Sequence, residues 1–265
     1  MSTSARPLAL VTGASSGIGL ELAKQFAVNG FDLVIAAEDD AIATAASELD
    51  GHGASVEAVQ ADLATSAGVE KLHDRVAAAG RPLAAAALNA GVGSGGSFAE
   101  TPLEDELRLI DLNVRETVHL AKDVVRDMVA RGEGRILFTS SIASTQPGSF
   151  QAVYNASKSF VQSFAVALRN ELKGSGVSVT SLMPGPVDTK FFERAGLEDT
   201  KLGQAPKEDP ADVARDGFEA LMAGEEKVIS HSLMPKAQGM AGRLIPDGVK
   251  AEVHRRLAEP GSGRE

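Results

Sequence analysis

Short, almost wholly apolar runs recur along the chain, and longer amphipathic stretches separate them. This is the pattern of parallel strands joined by crossover helices, since a strand covered on both faces has no polar side to show. The runs fall at 7–13, 31–37, 55–62, 83–91, 134–141, 177–185 and 226–231. Helices are expected between them at 17–29, 40–50, 66–79, 103–131, 151–173 and 210–223, the last with Asp209 as cap and Pro210 in its first turn. No repeat or low-complexity linker divides the 265 residues, so 1–265 is read as one α/β domain. The expected architecture is a doubly wound parallel sheet of about seven strands with helices on both faces.

Composition limits the function classes. A net charge of -10 opposes nonspecific attraction to nucleic acid or anionic lipid. With no cysteine, disulfides, thiolate catalysis and Cys-ligated zinc are excluded, and the five histidines show no metal-ligand spacing, so no metal site is expected. The N-terminal apolar run is too short for a signal peptide and no stretch reaches membrane-spanning length, which makes a cytoplasmic protein with no membrane partner the expectation. Aromatic residues make up only 4%, so aliphatic packing is expected inside.

Two local patterns carry chemistry. In "VTGASSGIG", Gly13, Gly17 and Gly19 lie between the first strand and first helix. Such glycines let the chain turn tightly and let its amides approach a pyrophosphate at the positive end of a helix. Further on, "YNASKSF" contains the only tyrosine of the chain, Tyr154, with Lys158 four positions later. That spacing puts both on one helical face, about 6 Å apart at the backbone. A cation at about 5 Å in an effective dielectric of about 20 stabilises a phenolate by on the order of 3 kcal/mol, or roughly two pKa units. Lys158 is therefore expected to lower the pKa of Tyr154.

With these motifs the chain resembles the short-chain dehydrogenase/reductase family, a Rossmann-like fold, over residues 8–190. The nucleotide loop T-G-x3-G-x-G matches Thr12 to Gly19, which takes in Gly13, Ser15, Ser16, Gly17, Ile18 and Gly19. Asp62, followed by Leu63, stands where the family has an Asp at the adenine ring. "NAG" supplies Asn89, Ala90 and Gly91; Asn113 matches the helix asparagine; and Ser141, Tyr154 and Lys158 match the S…Y-x3-K signature. "PGPVDT" matches the segment beside the nicotinamide, with Pro184, Gly185, Val187 and Thr189.

The resemblance implies a ketone and secondary alcohol interconverted by hydride transfer with NAD(P). Tyr154 would be the general acid/base, Ser141 would hold the substrate oxygen, Lys158 would bind the nicotinamide ribose, and Asn113 would position a water linking Lys158 to solvent. At the end of the second strand, Ala37 lacks the family's usual acid and Glu38 stands where NADP enzymes often have Arg. Glu38, backed by Asp39 and Asp40, would repel a 2′-phosphate and accept a ribose hydroxyl, so NAD(H) is expected over NADP(H).

The stretch 188–209 lacks a clear strand or helix, follows a strand end and is expected to cover the substrate; Phe191, Phe192, Leu197 and Leu202 make it apolar and favour a hydrophobic small molecule. "GVGSGGSF" at 91–98 is read as a flexible pocket rim, and 258–265 as a flexible tail. Helices 103–131 and 154–173 carry apolar residues on a second face, including Leu112, Val118, Val125, Phe160, Phe164 and Leu168. The resemblance implies a homodimer or homotetramer through these helices. A second reading is a catalytically silent dinucleotide-binding sensor or regulatory protein, which loss of the tyrosine or lysine would favour; both are present.

Overall fold

The computed structural model describes residues 6–230 and 245–264. Seven parallel strands form one sheet in the order β3-β2-β1-β4-β5-β6-β7. They are β1 (Leu8–Thr12), β2 (Asp32–Ala37), β3 (Val56–Gln60), β4 (Leu83–Leu88), β5 (Gly134–Thr139), β6 (Val177–Met183) and β7 (Lys227–Ile229). All seven expected strands form, although the edge strand β7 is short and both edge strands, β3 and β7, are partly exposed. His231, at the end of the seventh expected run, lies outside the described residues.

Alternation along β1 explains the two layers. Ala9 and Val11 point into one apolar cluster with Leu22 and Phe26 of α1 (Gly17–Val28), Leu49 of α2 (Ala41–Asp50) and Phe218 of α9 (Pro210–Ala223). Leu8 and Leu10 point into the other, with Leu72 of α3 (Ser66–Ala78), Val124 of α5 (Glu116–Arg131) and Val161 of α6 (Ala152–Glu171). Both layers are largely aliphatic, but Phe26, Phe31 and Phe218 meet edge to face at 5.1–6.4 Å in the first. From β1 the chain winds outward to β2 and β3, then returns to place β4 on the opposite side. The crevice at the carboxyl ends of β1 and β4 is thus the topological switch point, where such sheets bind ligands.

Four departures from the sequence expectations bear on the site. The helix expected over 103–131 is broken into α4 (Leu103–Ile110), a π-helical segment at Asp111–Arg115, and α5. Thr117 Oγ1 donates to the Leu112 carbonyl at 2.9 Å, satisfying a backbone acceptor where the ladder changes step. The 188–209 stretch contains two single-turn helices, α7 (Phe191–Arg194) and α8 (Lys201–Gln204), tied back by the bridge between Val187 and Glu208. A further helix, α10 (Asp247–Ala258), has no counterpart in the expectations, and the turn Ser262–Arg264 beyond it bonds to the covering segment through Gly263 N to Asp199 O at 2.9 Å. Finally, Leu112, Val125, Phe164 and Leu168 pack inward against the sheet. Phe160 is exposed as expected, and the other exposed apolar side chains on these helices are Leu103, Leu107, Ile110, Val129 and Val166.

Candidate active site

A cleft of about 550 Å³ opens along the carboxyl ends of the strands. The loop from Gly13 to Gly19 forms its floor, with Gly13 and Gly17 in left-handed backbone (φ +66° and +56°) that a side chain would strain. Gly19 must stay bare because a Cβ there would overlap the carbonyl of Gly13. Ser16 precedes α1 without capping it, so the first-turn amides of this 12-residue helix stay open toward the cleft, as a bound pyrophosphate requires. Ser15, Ser16 and Ile18 line the same floor, and Leu63, Ala90, Gly91, Pro184, Gly185, Val187 and Thr189 line the walls. These surfaces fit a dinucleotide.

Thr12 and Asn113, by contrast, do not face the cleft. Thr12 Oγ1 accepts from the amides of Asn89 (2.9 Å) and Ala90 (3.0 Å), and Asn89 Oδ1 accepts from Thr139 at 3.0 Å. These bonds stitch the ends of β1, β4 and β5 together behind the loop. Asn113, buried in the π-helical segment, clamps Val92 through both backbone groups, donating to its carbonyl at 2.9 Å and accepting from its amide at 3.0 Å. It also donates to Ser157 at 3.1 Å. Gly91 sits between Asn113 and Lys158, where a Cβ would lie 3.0 Å from Asn113 Oδ1 and 3.2 Å from Lys158 Nζ. The π-helical step thereby brings Asn113 up to the inner wall of the cleft.

At the end of the cleft where adenosine is expected, sequence reasoning missed Arg108. Its guanidinium bonds to Glu38 at 2.6 Å and to Asp62 at 3.0 and 3.1 Å, bridging the two acids expected there. The guanidinium holds the Asp62 carboxyl below its ordinary value. Glu38 is therefore not a free carboxylate, because its charge is shared with a cation from α4. No local motif marks Arg108, which reaches Glu38 across 70 positions of sequence. Asp39 accepts from Ser15 at 3.1 Å and faces Arg194 of α7 at 3.8 Å.

Ser141, Tyr154 and Lys158 converge at the centre of the cleft, all buried. Ser141 Oγ accepts from the Ala143 amide at 3.1 Å. Burial pushes the Tyr154 phenol up to about 12, against a smaller lowering by its hydrogen bond with Ser141. The lowering expected from Lys158 does not appear, for two reasons. Lys158 donates to the Thr139 carbonyl at 2.9 Å, and its own burial pushes the ammonium down to about 8. Desolvation of the phenol outweighs the cation, so Tyr154 holds its proton at neutral pH.

The covering segment closes the other side. Phe191 lies with its ring centroid 5.2 Å from that of Tyr154, and Phe192 packs with Leu197 and Leu202 in a small cluster of their own. The 91–98 stretch is glycine-rich because this cluster leaves no room for side chains. A Cβ on Gly93 would overlap the Phe191 ring, one on Gly95 would overlap Leu197, and Gly95 N donates to Ala195 O at 2.9 Å. The rim is thus bonded to the segment that covers the cleft.

Comparison with known proteins agrees with this geometry. The family model described as short chain dehydrogenase matches residues 7–199. The 1-deoxy-11-beta-hydroxypentalenate dehydrogenase of Streptomyces exfoliatus is 38% identical over 189 residues, covering 70% of this chain and 69% of its own. The probable oxidoreductase EphD of Mycobacterium tuberculosis is 34% identical over 192 residues, 72% of this chain; the chain spans only 32% of that relative's length. A solved short-chain dehydrogenase from Sphingobium yanoikuyae, in complex with NADPH, superposes with a TM-score of 0.81 at 30% identity, covering 96% of this chain and 97% of its own. The chain belongs to the short-chain dehydrogenase/reductase family.

Proposed function

We propose that this protein is an NAD(P)-dependent oxidoreductase that interconverts a ketone and a secondary alcohol, with Tyr154 as the proton-transferring group. The observation that carries this is the buried cluster of Ser141, Tyr154 and Lys158 beside an uncapped glycine loop. When bound, the dinucleotide supplies or accepts the hydride. Tyr154, protonated at neutral pH, donates its phenolic proton to the carbonyl oxygen, which Ser141 holds in line. Lys158, anchored on Thr139 O, stands ready to bind ribose hydroxyls and to offset charge on the phenolate once the proton has left. Asn113 holds the 91–92 backbone that forms the adjoining wall. The loop residues Gly13 to Gly19, together with Asp62, Leu63, Asn89, Ala90, Gly91 and the 184–189 segment, cradle the cofactor.

NAD(H) is the favoured cofactor. Glu38, Asp39, Asp40 and Asp62 outnumber Arg108 and Arg194 at the adenosine end, which leaves the rim acidic against a 2′-phosphate. Phe191, Phe192, Leu197 and Leu202 favour a hydrophobic substrate. The exposed Leu107, Ile110, Val129, Phe160 and Val166 support a homo-oligomer through α4, α5 and α6.

The test is turnover of NADH and NADPH across a panel of apolar ketones. Consumption of NADH with at least one ketone supports the reading. Tight dinucleotide binding with no turnover of any carbonyl class would transfer the protein to the sensor class.

A further inference from the structure

Beyond the reacting groups, the cleft lining includes buried polar side chains that the proposed chemistry does not use, among them Gln151 and His254. Gln151 and His254 both line it while being only 4% and 5% exposed. Gln151 directly precedes α6 but its amide makes no cap hydrogen bond, and it has no side-chain partner among the described residues. His254 reaches the cleft from α10, and its Nδ1 lies 2.9 Å from the Ser149 carbonyl. A carbonyl oxygen only accepts, so Nδ1 carries the ring hydrogen and Nε2 of the neutral imidazole is left as an acceptor. Burial pushes the imidazole pKa below its ordinary value, which keeps that form dominant. Nε2 has no partner among the described residues.

The backbone is strained between Gln151 and Ser149, the residue whose carbonyl meets His254. Phe150 lies at φ 63°, a left-handed conformation unfavourable for an aromatic residue. Its neighbour Ser149 is fixed to α10 twice, through His254 and through Ser149 Oγ to Ala251 O at 3.0 Å. The strained turn thus ties the start of α6 to α10. The lining of the same cleft also includes the apolar Phe191, Phe192, Leu202 and Leu257.

We infer that Gln151 and His254 form a polar specificity site for a second oxygen on the substrate, so that the preferred substrate is an otherwise apolar ketone bearing a separate hydroxyl group. The inference rests on the oxidoreductase reading above. The substrate hydroxyl donates to His254 Nε2 and accepts from the Gln151 amide. A purely apolar ketone strips water from both groups and returns no hydrogen bond, which is the situation in which polar sites discriminate strongly.

The test compares straight-chain methyl ketones of graded length, each paired with its terminally hydroxylated analogue. Within at least one pair the hydroxylated ketone is expected to have a kcat/KM higher by about tenfold, equivalent to one hydrogen bond of about 1.4 kcal/mol. His254→Phe and, separately, Gln151→Leu are expected to bring that ratio down toward one, chiefly by raising KM for the hydroxylated member. His254→Gln, which returns an acceptor, is expected to restore part of it. Two variants on different elements guard against one of them failing to fold. Turnover with no preference in any pair, or a preference unchanged in both folded variants, overturns the inference alone. Turnover of no ketone overturns the oxidoreductase reading and this inference with it.

Discussion

The ring of Phe191 lies 5.2 Å from the ring of Tyr154, tilted by 53°, so a residue of the covering segment shields the reacting phenol directly. This contact, with the surrounding burial, is what holds the phenol at about 12. Phe191→Ala opens one side of Tyr154 to water. Steady-state kinetics should then show a higher KM for apolar ketones, and the phenol pKa, followed by ultraviolet difference titration of this sole tyrosine, should fall toward 10. An unchanged titration would mean that the segment does not control the environment of Tyr154.

The glycine rim provides a second way to disturb the same contact. Gly93→Ala places a methyl group on the Phe191 ring, which must leave its position over Tyr154. Overpacking of this kind costs about 1–3 kcal/mol. Thermal unfolding should register part of that loss, and KM for apolar ketones should rise as it does for Phe191→Ala. Gly248→Ala is the control for a glycine substitution outside the cleft lining, since a Cβ there meets no neighbour and its backbone is not left-handed.

Lys158 couples stability to pH. Its folded pKa is depressed from 10.5 to about 8, so the folded state favours the neutral amine. The associated stability is fully present above 10.5 and is lost as pH falls through 8, by on the order of 3 kcal/mol. Tyr154 acts in the opposite sense, its contribution being lost as pH rises from 10 through about 12. Between pH 8 and 10 the lysine dominates. Urea unfolding of the Lys158→Met protein should therefore show a stability gain over the parent that is large at pH 7 and shrinks toward pH 10. A gain independent of pH would contradict burial of the ammonium.

The bridge made by Arg108 sets the charge balance at the Glu38–Asp62 rim of the cleft. Removing a carboxylate with Glu38→Ala should raise the NADPH to NADH ratio of kcat/KM by roughly two- to fivefold, the scale of one exposed charge contact of about 0.5–1 kcal/mol. Arg108→Ala should lower that ratio, because Glu38 and Asp62 then face the cofactor uncompensated. If both substitutions moved the ratio in the same direction, charge at this rim would not be what selects the cofactor.

Much of this site was legible in the sequence because it is written in local spacings. Tyr154 and Lys158 share a helix turn, and Gly13, Gly17 and Gly19 occupy one loop, so each group is recognisable within a few residues. The strands were equally plain, since burial on both faces leaves continuous apolar runs. What stayed hidden depends on distant partners. Arg108 meets Glu38 across 70 positions, and His254 meets Ser149 across 105. The π-helical step at Asn113 was also illegible, because its apolar periodicity differs little from that of the helix around it. The expected lowering of the Tyr154 pKa by Lys158 does not appear, and burial moves the phenol upward instead, because spacing gives the separation of two groups and not their desolvation.

In the proposed reaction Tyr154 transfers the proton in hydride exchange with a carbonyl. This role is tested most directly by comparing the parent with Tyr154→Phe in NADH-dependent reduction of the best ketone found, with NADH affinity measured in parallel by fluorescence. In the phenylalanine variant kcat is expected to fall by roughly 10²–10⁴-fold while NADH affinity changes little. Retention of most of the parent's kcat by the folded phenylalanine variant would contradict that role.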